Sequence, residues 1–120
     1  MLRGLEVLCD EWRMIGYHTW GSYAELVKVP ARTLIKLDKP PLDPSIMGVV
    51  PQAYFTAWRA LKVANVKPGD RILVWGATGG VGVFAVQIAK YLGAIVIGVG
   101  GPGWKLQKLR KLSVDLAVSY

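Results

Sequence analysis

The sequence predicts an α/β fold, half of a doubly wound parallel sheet, on three observations. An almost unbroken apolar run, Arg71 to Trp75, ends in a glycine-rich turn. Directly after that turn, from Gly79 to Leu92, the pattern becomes helical. Two further apolar runs, Ala94 to Val99 and Leu116 to Val118, alternate with a second helical stretch from Trp104 to Leu112, so the order reads βαβαβ.

Taken from the N-terminus, residues 14–38 read as β structure. Ser22 to Pro30 alternates weakly around Tyr23, Leu26 and Val29, and Thr33 to Leu37 makes another short strand. Lys39-Pro-Pro-Leu-Asp-Pro44 is a linker, because its prolines forbid both helix and central strand. Asp43 and Pro44 then form a helix start, an N-cap followed by proline at the first helical position. That helix breaks near Pro51 and resumes, with Tyr54, Trp58, Leu61 and Val63 as its apolar stripe up to Asn65. Pro68-Gly69-Asp70 turns the chain into the Arg71 to Trp75 strand, whose continuous apolarity suits a strand covered on both faces. In the following helix Val81, Ala85, Ile88 and Leu92 share a face, with Gln87 and Lys90 away from it.

The turn itself contains Ala77-x-Gly79-x-x-Gly82, the GxGxxG pattern with alanine in first place. Small residues there permit the tight turn, let backbone N–H groups approach a diphosphate, and let the helix pack close on the strand. The helix N-terminus adds unsatisfied donors and the positive end of its dipole. Glycines can also merely punctuate a turn. The βαβαβ context on both sides favours a nucleotide site, in one mononucleotide-binding half of a Rossmann sheet.

Bulk properties narrow the choice. At 120 residues there is room for one domain or one plus a fragment, and 52% hydrophobic content predicts surface meant to be covered. No apolar run reaches the length of a membrane span, and the acidic Glu6, Asp10 and Glu11 do not suit a secretion signal, which makes a cytoplasmic location the expectation. A net charge of +7 invites a nucleic-acid reading, but the one basic cluster, Lys105, Lys108, Arg110 and Lys111, is more simply a solvated helix face. The single Cys9 excludes an intrachain disulfide, and the single His18 beside Tyr17 and Trp20 reads as structural.

Several segments in register resemble the medium-chain dehydrogenase/reductase family of zinc alcohol dehydrogenases and quinone oxidoreductases. They are Gly21 to Pro30 (GSYAELVKVP), Tyr54 to Leu61 (YFTAWRAL), Lys67 to Asp70 (KPGD), Gly76 to Gly82 (GATGGVG) and Ala85 to Lys90 (AVQIAK). The resemblance covers essentially the whole chain, yet only the middle of much longer family members. It implies a remnant of a GroES-like catalytic domain at residues 1–42 and the first half of an NAD(P)-binding Rossmann domain at 43–120, a truncated or split member. Cys9, after Arg3-Gly-Leu-Glu-Val-Leu, resembles the fourth ligand of the family's structural zinc, with the other three missing. Gln52 stands where the last catalytic-zinc ligand would be, and an amide is a poor zinc ligand. No zinc is therefore expected in this chain.

For the cofactor, the resemblance implies that Ala77, Thr78 and the backbone of Gly79, Gly80, Val81 and Gly82 receive the dinucleotide, with Val81 against the nicotinamide and Thr56 beside its ring. Gly100 occupies the position of the aspartate that holds the ribose hydroxyls in NAD-selective members, which removes the main bar to a 2′-phosphate. Lys105 and Tyr120 match groups that bind that phosphate, so NADP is expected, with NAD possible; Pro102, where a serine often stands, argues the other way.

The chemistry implied is hydride transfer by the nicotinamide, with no complete catalytic constellation in the chain and no assignable catalytic residue. The competing reading is a non-catalytic, self-associating remnant or a subunit of a split dehydrogenase. An isolated half sheet exposes its first strand as an edge, and pairing two copies through Arg71 to Trp75 would rebuild a six-stranded sheet as a homodimer. Neither a membrane nor a specific nucleic acid is an expected partner.

Overall fold

The computed structural model describes residues 8–39, 42–101 and 103–120. Most of the stretch ahead of Cys9 lies outside the described residues, as do Pro40, Pro41 and Pro102. The chain divides into two compact units, Met1–Lys39 and Pro40–Tyr120.

The first unit contains no strand among its described residues, against the β structure expected over 14–38. Its ordered features are an isolated bridge between Ile15 and Thr19 and a 3-10 turn at Ala31–Thr33, where the Thr33 hydroxyl donates to the Pro30 carbonyl at 2.7 Å. The physical reason is that alternation marks a face but supplies no partner. A strand exists only when its N–H and C=O groups meet those of a neighbour. Tyr23 and Leu26, the side chains that alternation assigns to an interior, are exposed.

The second unit begins as the sequence predicts. Helix α1, Pro44–Met47, is capped by Asp43, whose carboxylate accepts from the Ser45 amide at 2.8 Å. The break at Pro51 is a single π-type turn, Val50–Tyr54, that runs straight into α2, Phe55–Val63. Proline has no N–H to give the helix, and a widened turn is one way to pass it. Ala57 and Leu61 form the buried stripe of α2, while Val63 faces outward.

Strands β1 (Arg71–Trp75), β2 (Ile95–Gly100) and β3 (Leu116–Ser119) form a parallel sheet in the order β1-β2-β3. Helix α3, Gly80–Tyr91, links the first two strands, and α4, Trp104–Lys111, links the second and third. Leu73 pairs with Ile97, and Ile97 with Leu116. One sheet face, with Ile72, Val74, Val96 and Ala117, belongs to the hydrophobic core that also holds Ala57, Leu61, Val86, Ala89 and Leu109. The opposite face is largely open, although Val99 on it, between Trp75 and Val118, is buried. Leu73, Trp75, Leu116 and Val118 are exposed on it, which corrects the expectation of cover on both sides of β1. Two successive crossovers of the same hand, moving the same way across a sheet, put both helices on one side.

The buried face of α3 keeps Ile88 from the expected stripe, with Ala85 and Leu92 packed partly buried against the core, but Val81 is 42% exposed and Gly82, Val86 and Ala89 are buried in addition. This helix is apolar almost all round, so periodicity alone leaves its orientation open, and small residues at the contact decide it.

Asp115 fastens the layers together. Its carboxylate accepts from Lys90 Nζ at 2.8 and 2.9 Å and from the Val96 amide at 2.6 Å, tying α3, β2 and the start of β3. The lysine hydrogen bond, then the amide, hold its pKa below the ordinary 3.8. A lowered carboxylate pKa gives stability that is full above the unfolded value and is lost as pH falls through the folded one. Asp115→Asn is therefore expected to melt below the wild type at neutral pH, with the difference closing in acid below 3.8. A melting difference that persists unchanged into acid would refute this. No described helix is long and apolar enough to cross a membrane.

Candidate nucleotide-binding site

The site is the junction of β1 and α3. Gly76 leaves the strand with φ +68°, a conformation L side chains rarely adopt, and so carries the turn. The fingerprint's first position, Ala77, is fully buried, and its amide donates to the Val99 carbonyl at 2.8 Å. The tight-turn role thus belongs to Gly76, one residue ahead of the GxGxxG frame. Gly79 closes the turn, its amide donating to the Gly76 carbonyl at 2.9 Å, and is the extended N-cap of α3.

Gly80 and Gly82 do different things. A Cβ at Gly82 would lie 2.2 Å from the Gly76 carbonyl oxygen and 2.8 Å from Ala77 Cα, so only glycine lets α3 sit this close to the strand end. A Cβ at Gly80 would meet nothing within 4 Å. The turn is therefore tightly packed behind and open in front. The amides of Gly80, Val81 and Gly82 open α3, where the helix's own ladder offers no acceptor. No side chain caps them. Open space, free donors and a positive dipole end fit a diphosphate.

Gly100, buried at the end of β2, lies against Thr78. A Cβ there would fall 2.7 Å from Thr78 Cγ2 and 3.2 Å from its hydroxyl. Position 100 thus lacks a carboxylate, and the Thr78 side chain fills the space one would need. Thr78, Val83, Trp104, Lys105 and Lys108 line a cavity of about 100 Å³ floored by Ala77 and Leu109. Lys108 Nζ stands 4.7 Å and Lys105 Nζ 5.8 Å from the Trp104 ring centre.

The remaining predicted residues are placed differently. Tyr120 stacks on Trp75 with ring centres 5.7 Å apart, its hydroxyl beside Gly101. The Thr56 hydroxyl is spent on the Gln52 carbonyl of its own helical segment, at 2.5 Å. His18 Nδ1 accepts the Met14 amide at 3.0 Å and the ring packs edge-on to Trp12 and Tyr17, a structural use of the imidazole. Among the described residues no three His, Cys, Asp or Glu side chains converge as a metal site. Sequence reasoning takes the basic cluster for a solvated face and passes over the Trp104–Lys108 pair. Its i, i+4 spacing on a helix is the available signal.

Fold and turn together define the class: an α/β unit of Rossmann type, as found in NAD(P)-binding domains. No family model matches the chain. It is 35% identical over 118 residues to an alcohol dehydrogenase of Geobacillus stearothermophilus, covering 98% of this chain and 34% of that protein. It is 36% identical over 118 residues to an NAD-dependent alcohol dehydrogenase of Sulfolobus acidocaldarius, covering 97% of this chain and 34% of the relative. The quinone oxidoreductase of Thermus thermophilus, solved also in complex with NADPH, superposes with a TM-score of 0.77 and 34% identity over 87% of this chain and 35% of its own. The chain is homologous to one segment of the medium-chain dehydrogenase/reductase family, and it spans about a third of the length of these relatives.

Proposed function

We propose that this chain binds a nicotinamide dinucleotide, NADP(H) ahead of NAD(H), with the pyrophosphate against the Gly79 to Gly82 backbone, on the free amides of Gly80, Val81 and Gly82. The observation that carries the reading is the asymmetry of that turn, where a Cβ at Gly82 would strike backbone and one at Gly80 meets open space. Val81, exposed beside the turn, is the apolar contact for the nicotinamide, with Thr56 nearby in the pocket by resemblance. Bound there, the cofactor supplies hydride-transfer chemistry; the chain contributes binding and orientation. Residues 43–120 are the dinucleotide-binding part and residues 1–42 a GroES-like remnant. Catalysis is incomplete in this chain alone.

Calorimetric titration of the 120-residue protein with NADPH and NADH tests the proposal. Saturable one-to-one binding is the expected result, tighter for NADPH. No heat of binding at millimolar concentrations of either would reject it.

A self-associating role is the second reading, and the β1 edge favours it, since among the described residues β1 pairs on one side only. Pairing β1 with its copy covers that edge in a homodimer. Sedimentation at micromolar concentration is expected to give a dimer, and a sharp monomer boundary would refute the arrangement.

A further inference from the structure

We infer that the open face of the sheet receives a second copy of this chain, packed sheet on sheet about a twofold axis that crosses the strands over Leu116. The contact is separate from pairing at the β1 edge, because it uses side chains of all three strands and none of that edge's backbone.

Register builds the face in rows. Leu73, Ile97 and Leu116 are partners across the strands, Trp75, Val99 and Val118 form the next row, and Arg71 pairs with Ile95. Alternation puts all three rows on the side away from the helices. An aliphatic middle row therefore lies between an aromatic end and an end that carries Arg71. Tyr120, stacked on Trp75 with ring centres 5.7 Å apart, widens the aromatic end. Arg71 is the one charged residue in these rows.

The size of the face suits a dimer. Leu73, Trp75, Ile95, Leu116, Val118 and Tyr120 are 38 to 71% exposed. At about 150–250 Å² for a whole aromatic side chain and less for an aliphatic one, they leave roughly 600 Å² of adjoining apolar surface, the upper end of the largest patch on an ordinary monomer. Two such faces together bury about 1,200 Å², where stable interfaces begin.

The face is also complementary to itself. Stacked sheets keep their strand directions nearly aligned. A twofold axis lying between two such sheets, perpendicular to the strands and over the middle row, sets each strand on its own copy with its direction reversed. The middle rows then meet, Leu116 against Leu116, and the ends exchange, Arg71 of each copy against Trp75 of the other. Arg71 is exposed, and among the described residues no ion pair engages it. A guanidinium over an indole face is attracted to it, more strongly once water is excluded. The one charge that the contact covers thus finds an aromatic ring twice over, and the centre is aliphatic and uncharged, as interface cores are.

Sedimentation equilibrium of the 120-residue protein at micromolar concentration tests the arrangement, with Leu116→Lys, Leu116→Glu, their equimolar mixture and Arg71→Gln. The wild type is expected to self-associate. Each Leu116 variant alone opposes two like charges in the contact and is expected to weaken it more than about a hundredfold, halving the mass. The mixture opposes lysine to glutamate and regains the wild-type mass. Arg71→Gln, at an exposed strand end, is expected to weaken association about tenfold through loss of the cation–ring contacts, and it keeps the test open should the Leu116 variants fail to fold by circular dichroism. A monomeric wild type overturns the contact. Variants that keep the wild-type mass overturn it while leaving the β1 edge as the interface, and a mixture that stays at the reduced mass overturns the twofold apposition of Leu116.

Discussion

Gly82→Ala is expected to cost this protein its cooperative fold, the largest effect of any single methyl group in the chain. The added Cβ would stand 2.2 Å from the Gly76 carbonyl oxygen, 2.8 Å from Ala77 Cα and 2.9 Å from the Gly76 carbonyl carbon. All three are backbone atoms, so no side-chain rotation relieves the clash. Relief requires α3 to move off the sheet, which opens the contacts of Val86 and Ala89 with the core. Overpacking of this kind costs about 1–3 kcal/mol or more. Small domains hold only ~5 kcal/mol or little above it. A loss of about 3 kcal/mol lowers the melting temperature of a domain this size by more than about 10 °C. Gly80→Ala is the matched control, because its Cβ meets nothing within 4 Å. Equal melting of the two variants would show that the close approach of α3 to the turn is wrong.

Gly80→Asp is expected to do the opposite, leaving the fold and removing the ligand. The carboxylate would sit at the first residue of α3, where a negative charge favours the helix dipole, so thermal stability is held or slightly raised. The same charge faces the position proposed for the pyrophosphate. Like charges so placed cost several kcal/mol, and dinucleotide affinity is expected to fall by more than about a hundredfold. Calorimetry and a melting curve on one sample give both answers. Binding retained within about threefold would put the dinucleotide elsewhere on the protein.

The βαβαβ order is legible because a parallel sheet writes itself as separate apolar runs. The strands found at 71–75, 95–100 and 116–119 lie within about a residue of those runs. Asp43 and Pro44 are equally legible, since capping is a local event. Three features are not. The strands expected between Ser22 and Leu37 are absent because pairing is a property of two segments, and one segment's alternation cannot supply the other. The face that α3 buries is obscured by its uniform apolarity, and a glycine, not the bulkier Val81, marks the contact. Within the site, Gly79, Gly80 and Gly82 are legible from spacing. Gly76 escapes notice as the turn residue because its role lies in a positive φ, which spacing does not encode. Trp104 and Lys108 are visible as residues, but the cavity they share with Thr78 comes from the packing of α4 beside the turn.

The network around Asp115 bears on how the sheet is assembled in time. Its contact with the Val96 amide spans 19 positions and its contact with Lys90 spans 25, so each new strand joins a neighbour made shortly before it. Closing loops of such modest length adds little entropic cost from one step to the next. The order β1-β2-β3 is also the order of synthesis, and no strand has to wait for a distant one before it finds its place. The second unit can therefore mature by accretion, with Asp115 latching β3 only once α3 and β2 already present Lys90 and Val96 to it. Parallel pairings are non-local by nature, but in this sheet each spans a single crossover and none spans two.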